Sequence, residues 1–497
     1  LAVAACGLGL GCKEVMLAAP AAALLFDRAF LAASWKDLFR RRALLHASLF
    51  GVGLVLLVMN LSKLTGDGDV SAGFDCAVVA PVEYLRTQPA VVLHYLRLAF
   101  WPRPLCLDYR WPVADSPLEI YPAAAAVIAL LAAIAVTFRY WPSIGFLGLF
   151  FFVVLAPSSS IMPIADLAFE HRMYVPLAAV VALAVLALYG LGRACLRDPQ
   201  ARRLAAGGGL AAVAVALGLV TWERNRDYGD PVRLWAKVVD VAPHNARAHF
   251  SLGQAYRAAG DAHAARCCYE RCLRLDPDLA RAHGALGHLL LSEGDLQKAA
   301  EHLRWAVELK PDYLHALMNY GNLLVRQQRY AAAIVYYRRA RSLAPANAVI
   351  HLNLGTALLK SGRPQAAVSA YRRALREDPG LVAAKVQLAW VLATAADDRV
   401  RNGAEAVRLA EEVGWDVSGE HVRFLDVLAA AYAEAGRFDD ACRAATTGLA
   451  AAASNGVAEA TESLRARLVL YRRGKPYREQ GSVGTGAAVS EIPEDAS

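Results

Sequence analysis

Hydrophobic residues form long apolar runs up to about residue 222, and a mixed, periodic pattern follows. A membrane-spanning helix needs about 20 apolar residues. The runs therefore predict a polytopic membrane domain over residues 1–222. We expect six spanning helices, at about 1–26, 44–60, 120–138, 143–156, 174–191 and 204–222.

Basic residues concentrate in three of the predicted loops, and such loops usually lie on the cytoplasmic side. They are Arg28, Lys36, Arg40, Arg41 and Arg42 in one loop, Arg139 in the next, and Arg193, Arg197, Arg202 and Arg203 in the third. In that orientation, the non-cytoplasmic side contains the loops 61–119 and 157–173 and the chain after Thr221. We expect an integral protein of a bacterial inner membrane with a periplasmic C-terminal half, or of the ER membrane with a lumenal one.

The apolar segment 90–101 lies between Pro89 and Pro102 and is too short to cross a membrane. His94 and Arg97 are three residues apart, so a helix would place them on one face. The pattern predicts an amphipathic helix on the outer membrane surface.

Proline recurs every 34 residues from 243 to 379, and Gly253, Gly287, Gly321 and Gly355 keep the same period. This period is typical of tetratricopeptide repeats (TPRs), in which each repeat is a pair of helices. The predicted fold is thus all-α, a membrane domain followed by a TPR α-solenoid. We expect a lead-in half-repeat over 223–245 with Asp230 as N-cap, four regular repeats over 246–381, two degenerate repeats over 382–455, a capping helix over 456–479 and a disordered tail over 480–497.

Small and large residues alternate at fixed positions of this repeat. Position 8 is glycine, position 20 is alanine, and position 24 is large, as in Gly321, Ala333 and Tyr337. Small residues let the two helices of a repeat approach closely, and the large residue fills the space between repeats. The proline at position 32 ends the second helix because it has no N–H to donate.

The first helices of TPRs line a concave face that binds extended peptides or partner segments. Amide side chains suit a peptide backbone because each one can both donate and accept hydrogen bonds. Ordinary surface polarity is the alternative explanation. The predicted peptide-binding groove consists of Gln254, His288, Asn319, Asn322, Asn353 and Thr356.

Two sets of ionisable residues stand out in the apolar half. Lys13 and Glu14 interrupt the first apolar run, and Glu170, His171 and Arg172 precede the run that starts near Met173. Charges at membrane depth usually face a cavity or a partner. The alternatives are a short turn at the interface for the first pair and a snorkelling cluster for the second set.

Composition and motifs exclude several functions. The net charge of +8 is spread along the chain without the basic stripe of a nucleic-acid-binding protein. The nine cysteines include no CxxC pair, and no ligand set indicates a metal site. The sequence contains no Ser-His-Asp set, P-loop or Rossmann glycine motif, so hydrolase, ATPase and dehydrogenase functions have no support.

Three segments of the apolar half, together with the repeat array, resemble the transmembrane and tetratricopeptide repeat-containing family. They are GLGCKEVMLAAPAAALLFDR at 9–28, YLRLAFWPRPLCLDY at 95–109 and APSSSIMPIADLAFEHRMYVP at 156–176. Members of that family resemble C-type glycosyltransferases. The resemblance implies transfer of a sugar from a polyprenyl-phosphate carrier to protein hydroxyls outside the cytoplasm, with the TPR array binding the acceptor.

A lipid-phosphate leaving group needs nearby cations. With the resemblance, this suggests a donor site made of Lys13, Glu14, His94, Arg97, Asp108, Glu170, His171 and Arg172. The family more often has Glu where this chain has His171. Its acidic catalytic residues lie in the first external loop, which we expect upstream of Leu1. The alternative is a non-catalytic TPR membrane scaffold for envelope assembly or secretion.

Overall fold

The computed structural model describes residues 17–59, 79–159, 164, 166–196, 198–413, 421–454 and 458–479. The regular elements among these residues are helices, which confirms the all-α class. The chain divides into two compact units, an N-terminal unit over 1–268 and a C-terminal unit over 269–497. Lys13, Glu14 and the tail 480–497 lie outside the described residues.

The described part of the N-terminal unit contains nine α-helices that lie wholly within it, with loops and short 3₁₀ or π turns between them. They are α1 (Ala19–Phe26), α2 (Trp35–Met59), α3 (Pro81–Phe100), α4 (Pro117–Tyr140), α5 (Pro142–Leu155), α6 (Tyr174–Cys195), α7 (Pro199–Tyr228), α8 (Pro231–Val241) and α9 (Ala246–Ala258). A further helix, α10 (Ala262–Leu275), contains the boundary between the two units.

Three helices in the described residues are long and apolar enough to cross a membrane: α4, the segment Glu170–Cys195 and α7. They coincide with the predicted spans at 120–138, 174–191 and 204–222. The predicted span at 143–156 is a helix, α5, but its 14 residues are fewer than a crossing needs. For the predicted span at 1–26, the structure describes the last part, which contains α1. For the predicted span at 44–60, the helix α2 begins earlier, at Trp35.

Helix α3 differs from the predicted surface helix. It begins at Pro81, not at residue 90, and Pro89 lies inside it. Its apolar face includes Val91 and Tyr95 and packs into a core with Phe151 of α5 and Ala179 of α6. The predicted start is therefore wrong, because the helix continues through the proline and packing against α5 and α6 holds it in place.

The C-terminal unit is a run of helix pairs, and the first members that begin at Ala280, Leu314, Ala348 and Val382 follow the predicted 34-residue interval. After α10 come α11 (Ala280–Glu293), α12 (Leu296–Leu309), α13 (Leu314–Arg326), α14 (Tyr330–Leu343), α15 (Ala348–Lys360), α16 (Pro364–Glu377), α17 (Val382–Thr394), α18 (Gly403–Val413), α19 (His421–Glu434), α20 (Phe438–Ser454) and α21 (Ala458–Arg472). A loop over residues 395–402 separates α17 from α18, and α21 is the last helix among the described residues. In the N-terminal unit, Asp230 caps α8 as predicted, accepting from the backbone N–H of Val232 and Arg233.

Close packing within a repeat follows the predicted small and large positions. A Cβ atom added to Gly321 would lie 2.5 Å from Cε1 of Tyr337, and one added to Gly355 would lie 2.6 Å from Cε1 of Tyr371. The large residue at position 24 thus packs on the glycine of its own repeat. Tyr337 and Tyr371 also share a core with Leu354 of the fourth repeat, so each ring fills space within and between repeats.

Candidate functional site

The candidate site in the C-terminal unit is a groove along the first helices of successive repeats. A cavity of about 340 Å³ opens there. Five of the six predicted groove residues line it: His288, Asn319, Asn322, Asn353 and Thr356. The sixth, Gln254, belongs to α9 of the N-terminal unit. The repeat frame alone was therefore sufficient to bring these five side chains together.

Asn322 is held in one orientation by two neighbours. The hydroxyl of Tyr337 donates to Asn322 Oδ1 at 2.6 Å, and Asn353 Nδ2 donates to the same oxygen at 3.4 Å. Because the oxygen accepts both bonds, the amide N–H groups of Asn322 remain as donors at the cavity wall. They can bond the carbonyl oxygens of an extended peptide.

The next repeat has the same link between positions 9 and 24. The hydroxyl of Tyr371 donates to Thr356 Oγ1 at 3.2 Å, and Thr356 Oγ1 donates to the Leu352 carbonyl at 3.1 Å. Burial raises the pKa of Tyr371 to about 12 and also raises the pKa of Tyr337, so both hydroxyls remain protonated at neutral pH. Sequence reasoning treated these tyrosines only as packing residues. In both repeats a polar residue at position 9 lies 15 residues before the tyrosine. This spacing was the feature of the sequence that could have indicated the hydrogen bond.

A positive charge also lines the groove and was not anticipated. Arg326 donates from Nη1 to the Leu291 carbonyl at 2.7 Å, which holds its guanidinium against the cavity wall. The residues that line this cavity include no aspartate or glutamate. The groove is therefore suited to a ligand rich in hydrogen-bond acceptors, such as a peptide backbone, and to acidic more than basic side chains.

In the N-terminal unit, Arg172 is bonded to protein groups and is partly buried. Its Nη1 donates to the Tyr84 hydroxyl at 3.2 Å and to the carbonyls of Ser158 at 3.1 Å and Leu167 at 3.2 Å. Its Nη2 donates to the Asp166 carbonyl at 2.7 Å. The guanidinium thus joins α3 to the segments on both sides of residues 160–163.

Glu170 is also bonded within the protein. Its Oε1 accepts from the backbone N–H of Cys106 at 2.6 Å and from the Tyr109 hydroxyl at 2.9 Å. Its Oε2 lies 3.5 Å from Nη2 of Arg224 in α7. His171 is exposed, with its ring centroid 4.9 Å from that of Phe169. The contacts thus differ for each of the three consecutive residues Glu170, His171 and Arg172.

Asp108 pairs with a residue of the first repeat helix. Arg247 in α9 donates from Nε to Asp108 Oδ2 at 2.7 Å and from Nη2 to Asp166 Oδ1 at 2.7 Å. The side chain of Asn245 donates to the Asp108 carbonyl at 3.1 Å. Burial alone would raise the pKa of Asp108, but the hydrogen bonds from Arg247 and Asn245 outweigh burial and lower it. Asp108 is thus an ionised anchor for α9.

His94 and Arg97 line a separate pocket of about 860 Å³ in the N-terminal unit. The ring centroid of His94 lies 5.0 Å from that of Tyr109 and 4.8 Å from that of Trp111, and all three residues line the pocket. Burial, with the nearby charge of Arg97, lowers the pKa of His94 to about 4. At neutral pH, Arg97 therefore supplies positive charge to this aromatic-walled pocket and His94 does not.

The predicted donor-site residues are thus divided among several places. His94 and Arg97 share the pocket, whereas Asp108, Glu170 and Arg172 make the contacts given above. Their role in binding a lipid-linked sugar stays a prediction. Sequence reasoning missed Trp111 and Arg247. Arg247 and its partner Asp108 lie 139 positions apart, so no local pattern connects them.

Comparisons with known proteins identify the repeats. Three sequence profiles described as tetratricopeptide repeats match residues 246–279, 285–348 and 324–380. No curated protein matches the chain.

Among solved structures, PilW, a widely conserved type IV pilus biogenesis factor, is 21% identical, with 44% of this chain and 98% of its own covered, at a TM-score of 0.39. PilF of Pseudomonas aeruginosa is 22% identical, with 44% and 96% covered and a TM-score of 0.38. YrrB, a TPR protein with an unusual peptide-binding site, is 18% identical, with 38% and 95% covered and a TM-score of 0.33. The matching sequence profiles show that the chain contains tetratricopeptide repeats.

Proposed function

We propose that this protein is a membrane-anchored TPR receptor that binds an extended segment of a partner protein in its groove. The observation that carries the proposal is the row of Asn319, Asn322 and Asn353 along one cavity, with Asn322 oriented by Tyr337. Oriented amides can bond a peptide backbone without reading its side chains. The three long apolar helices support the membrane anchor.

The triple variant Asn319→Ala, Asn322→Ala and Asn353→Ala tests this function. Each amide contributes a hydrogen bond of about 1 kcal/mol, so the triple variant is expected to weaken partner binding about 10²-fold. Asn322→Ala also leaves the Tyr337 hydroxyl without its acceptor, which costs about 1–3 kcal/mol, so thermal melting must first show that the triple variant remains folded. The measurement is co-purification from cross-linked membranes with the full chain, followed by titration of the captured partner.

The matched control is Asn402→Ala, which alters an amide in the loop before α18 and away from the cavity. It should leave partner binding unchanged. Wild-type affinity in a well-folded triple variant would show that the groove is not the recognition surface.

A second function, glycosyl transfer from a polyprenyl-phosphate sugar, is favoured by the pocket at His94 and Arg97. Its volume, about 860 Å³, falls in the range of small-molecule sites. The rings of Tyr109 and Trp111 offer flat apolar faces to the C–H groups of a sugar, and Arg97 offers a cation to a phosphate. The groove would then hold the acceptor protein.

Binding of undecaprenyl phosphate to the detergent-solubilised full chain tests this second function. Removing a charge-assisted contact with Arg97→Ala should weaken binding about tenfold or more. Arg103→Ala is the control, since Arg103 is exposed and pairs with Glu223 outside this pocket. Failure of the wild-type chain to bind the lipid, or equal binding by both variants, would remove this pocket from consideration.

A further inference from the structure

The groove positions continue beyond the cavity into the fifth repeat. Positions 6, 9 and 13 of that repeat are Gln387, Trp390 and Thr394, all on the first helix α17. They follow Asn353, Thr356 and Lys360 of the fourth repeat in register. The fifth repeat therefore presents the same face, with an indole where the third and fourth repeats have Asn322 and Thr356.

Residues 475–479, which follow the capping helix α21, return to this face. The backbone N–H of Glu479 donates to the Thr394 carbonyl at 2.8 Å. Trp390 Nε1 donates to Glu479 Oε2 at 2.9 Å. A main-chain hydrogen bond and a bound carboxylate are the contacts that an extended peptide ligand would make here.

Two aromatic rings and a cation support the same segment. The ring centroid of Tyr477 lies 6.1 Å from that of Trp390. The guanidinium of Arg467 lies 5.1 Å from the Trp390 ring and 4.8 Å from the Tyr477 ring. Arg478 pairs with Glu434, with Nη1 at 2.5 Å from Oε2. Tyr477, Arg478 and Glu479 therefore each have a specific contact.

A second cavity, of about 180 Å³, opens beside Glu479 and shares Thr356 with the groove cavity. Lys360, Arg423 and Arg467 line it, together with Asp426, which pairs with Arg467. Within the described part of the chain, Lys360 and Arg423 make no ion pair. Without Glu479, this cavity would be lined by three cations and one carboxylate, which favours an acidic ligand.

We propose that the fifth repeat carries a carboxylate-binding subsite for an acidic peptide segment of the partner, and that Tyr477–Glu479 occupy this subsite in the same chain. The partner segment has an aromatic residue two positions before its acidic residue, as Tyr477 precedes Glu479. The inference rests on the proposed peptide-binding function and extends it, since the amides of the third and fourth repeats recognise backbone whereas Trp390 selects a carboxylate. Partner binding here requires displacement of the chain's own segment.

The probe for this subsite is a fluorescein-labelled, C-terminally amidated peptide with the sequence of residues 475–480, KPYREQ. It is titrated by fluorescence anisotropy onto the full chain in detergent and onto the double variant Tyr477→Ala, Glu479→Gln, which weakens the internal contact. We expect the double variant to bind the peptide about tenfold more tightly than wild type. A peptide with Gln in place of Glu should bind the double variant about tenfold more weakly.

Two further variants make the result specific. Glu462→Gln changes an exposed carboxylate of α21 and should leave peptide affinity at the wild-type level. Trp390→Phe, added to the double variant, retains an aromatic ring, lacks the N–H and should reduce binding. Equal binding of the acidic and Gln peptides, or equal affinity of wild type and double variant, would overturn the subsite.

The test separates this subsite from the proposed function. If the groove function is correct, the variant lacking Asn319, Asn322 and Asn353 loses the partner whether or not the fifth repeat binds a carboxylate. If that variant loses the partner while Trp390→Phe leaves KPYREQ binding intact, the groove function stands and the carboxylate subsite is wrong. In the opposite case, Trp390→Phe abolishes peptide binding while the triple variant still binds its partner. This result would support the subsite as a binding site for acidic peptides and exclude the proposed role of the three amides.

Discussion

Arg172→Ala is expected to destabilise the N-terminal unit by about 3 kcal/mol. The substitution removes the donor to the Tyr84 hydroxyl and to the carbonyls of Ser158, Asp166 and Leu167. The Ser158 carbonyl still accepts from the Tyr84 hydroxyl, and the Leu167 carbonyl still accepts from Gln88 Nε2. The Tyr84 hydroxyl oxygen and the Asp166 carbonyl lose the Arg172 donor, at about 1–3 kcal/mol each. A loss of 3 kcal/mol corresponds to a fall in Tm of roughly 6–12 °C for a unit of this size. Thermal melting of the detergent-solubilised chain measures it.

Arg103→Ala provides the comparison, because Arg103 is an exposed arginine whose pair with Glu223 at 3.4 Å is also exposed. It should shift Tm by less than about 2 °C, as expected for a surface ion pair. A Tm for Arg172→Ala equal to that of Arg103→Ala would show that the Arg172 contacts do not hold the unit together.

Gly321→Leu is expected to destabilise the repeats by about 3 kcal/mol or more. Its Cβ alone would lie 2.5 Å from Cε1 of Tyr337, and leucine adds three more carbons beyond that atom. Inserting atoms into a packed core typically costs about 1–3 kcal/mol and occasionally more. The buried position of Tyr337 leaves the ring little room to move. Far-UV circular dichroism during heating should show that helix is lost at a lower temperature than in wild type.

Ala331→Leu is the control, since it introduces the same leucine side chain at an exposed position of α14. Its Tm should remain near that of wild type. Combining Gly321→Leu with Tyr337→Ala should recover part of the loss, because the smaller residue creates the missing space. Equal melting of Gly321→Leu and Ala331→Leu would mean that the close contact at Gly321 is unimportant.

The repeat half was predictable because its contacts are local in sequence. Gly321 and Tyr337 are 16 residues apart, and a period of 34 residues fixes which residues share a face. The helix starts at Ala280, Leu314 and Ala348 follow directly from that period. Once the frame was known, five groove residues could be placed without any knowledge of side-chain conformation.

The apolar half was predictable in its long helices and not in its polar contacts. The bonds of Arg172 to Tyr84 and of Arg247 to Asp108 join residues that are 88 and 139 positions apart. No periodicity connects such residues, so a single sequence does not reveal them. The start of α3 was missed for another reason: Pro89 indicates a helix end by local preference, and packing of Tyr95 and its neighbours overrides that preference.

The attachment of α9 to Asp108 and Asp166 through Arg247 has a practical consequence for dividing this chain into fragments. Val238 of α8 and Ala248 of α9 are buried in the same core as Tyr95 and Phe151. Truncation of the chain near residue 223, at the end of the last apolar helix, would therefore separate residues that pack in one hydrophobic core. The released C-terminal fragment would carry newly exposed apolar surface at its first helices and would tend to aggregate.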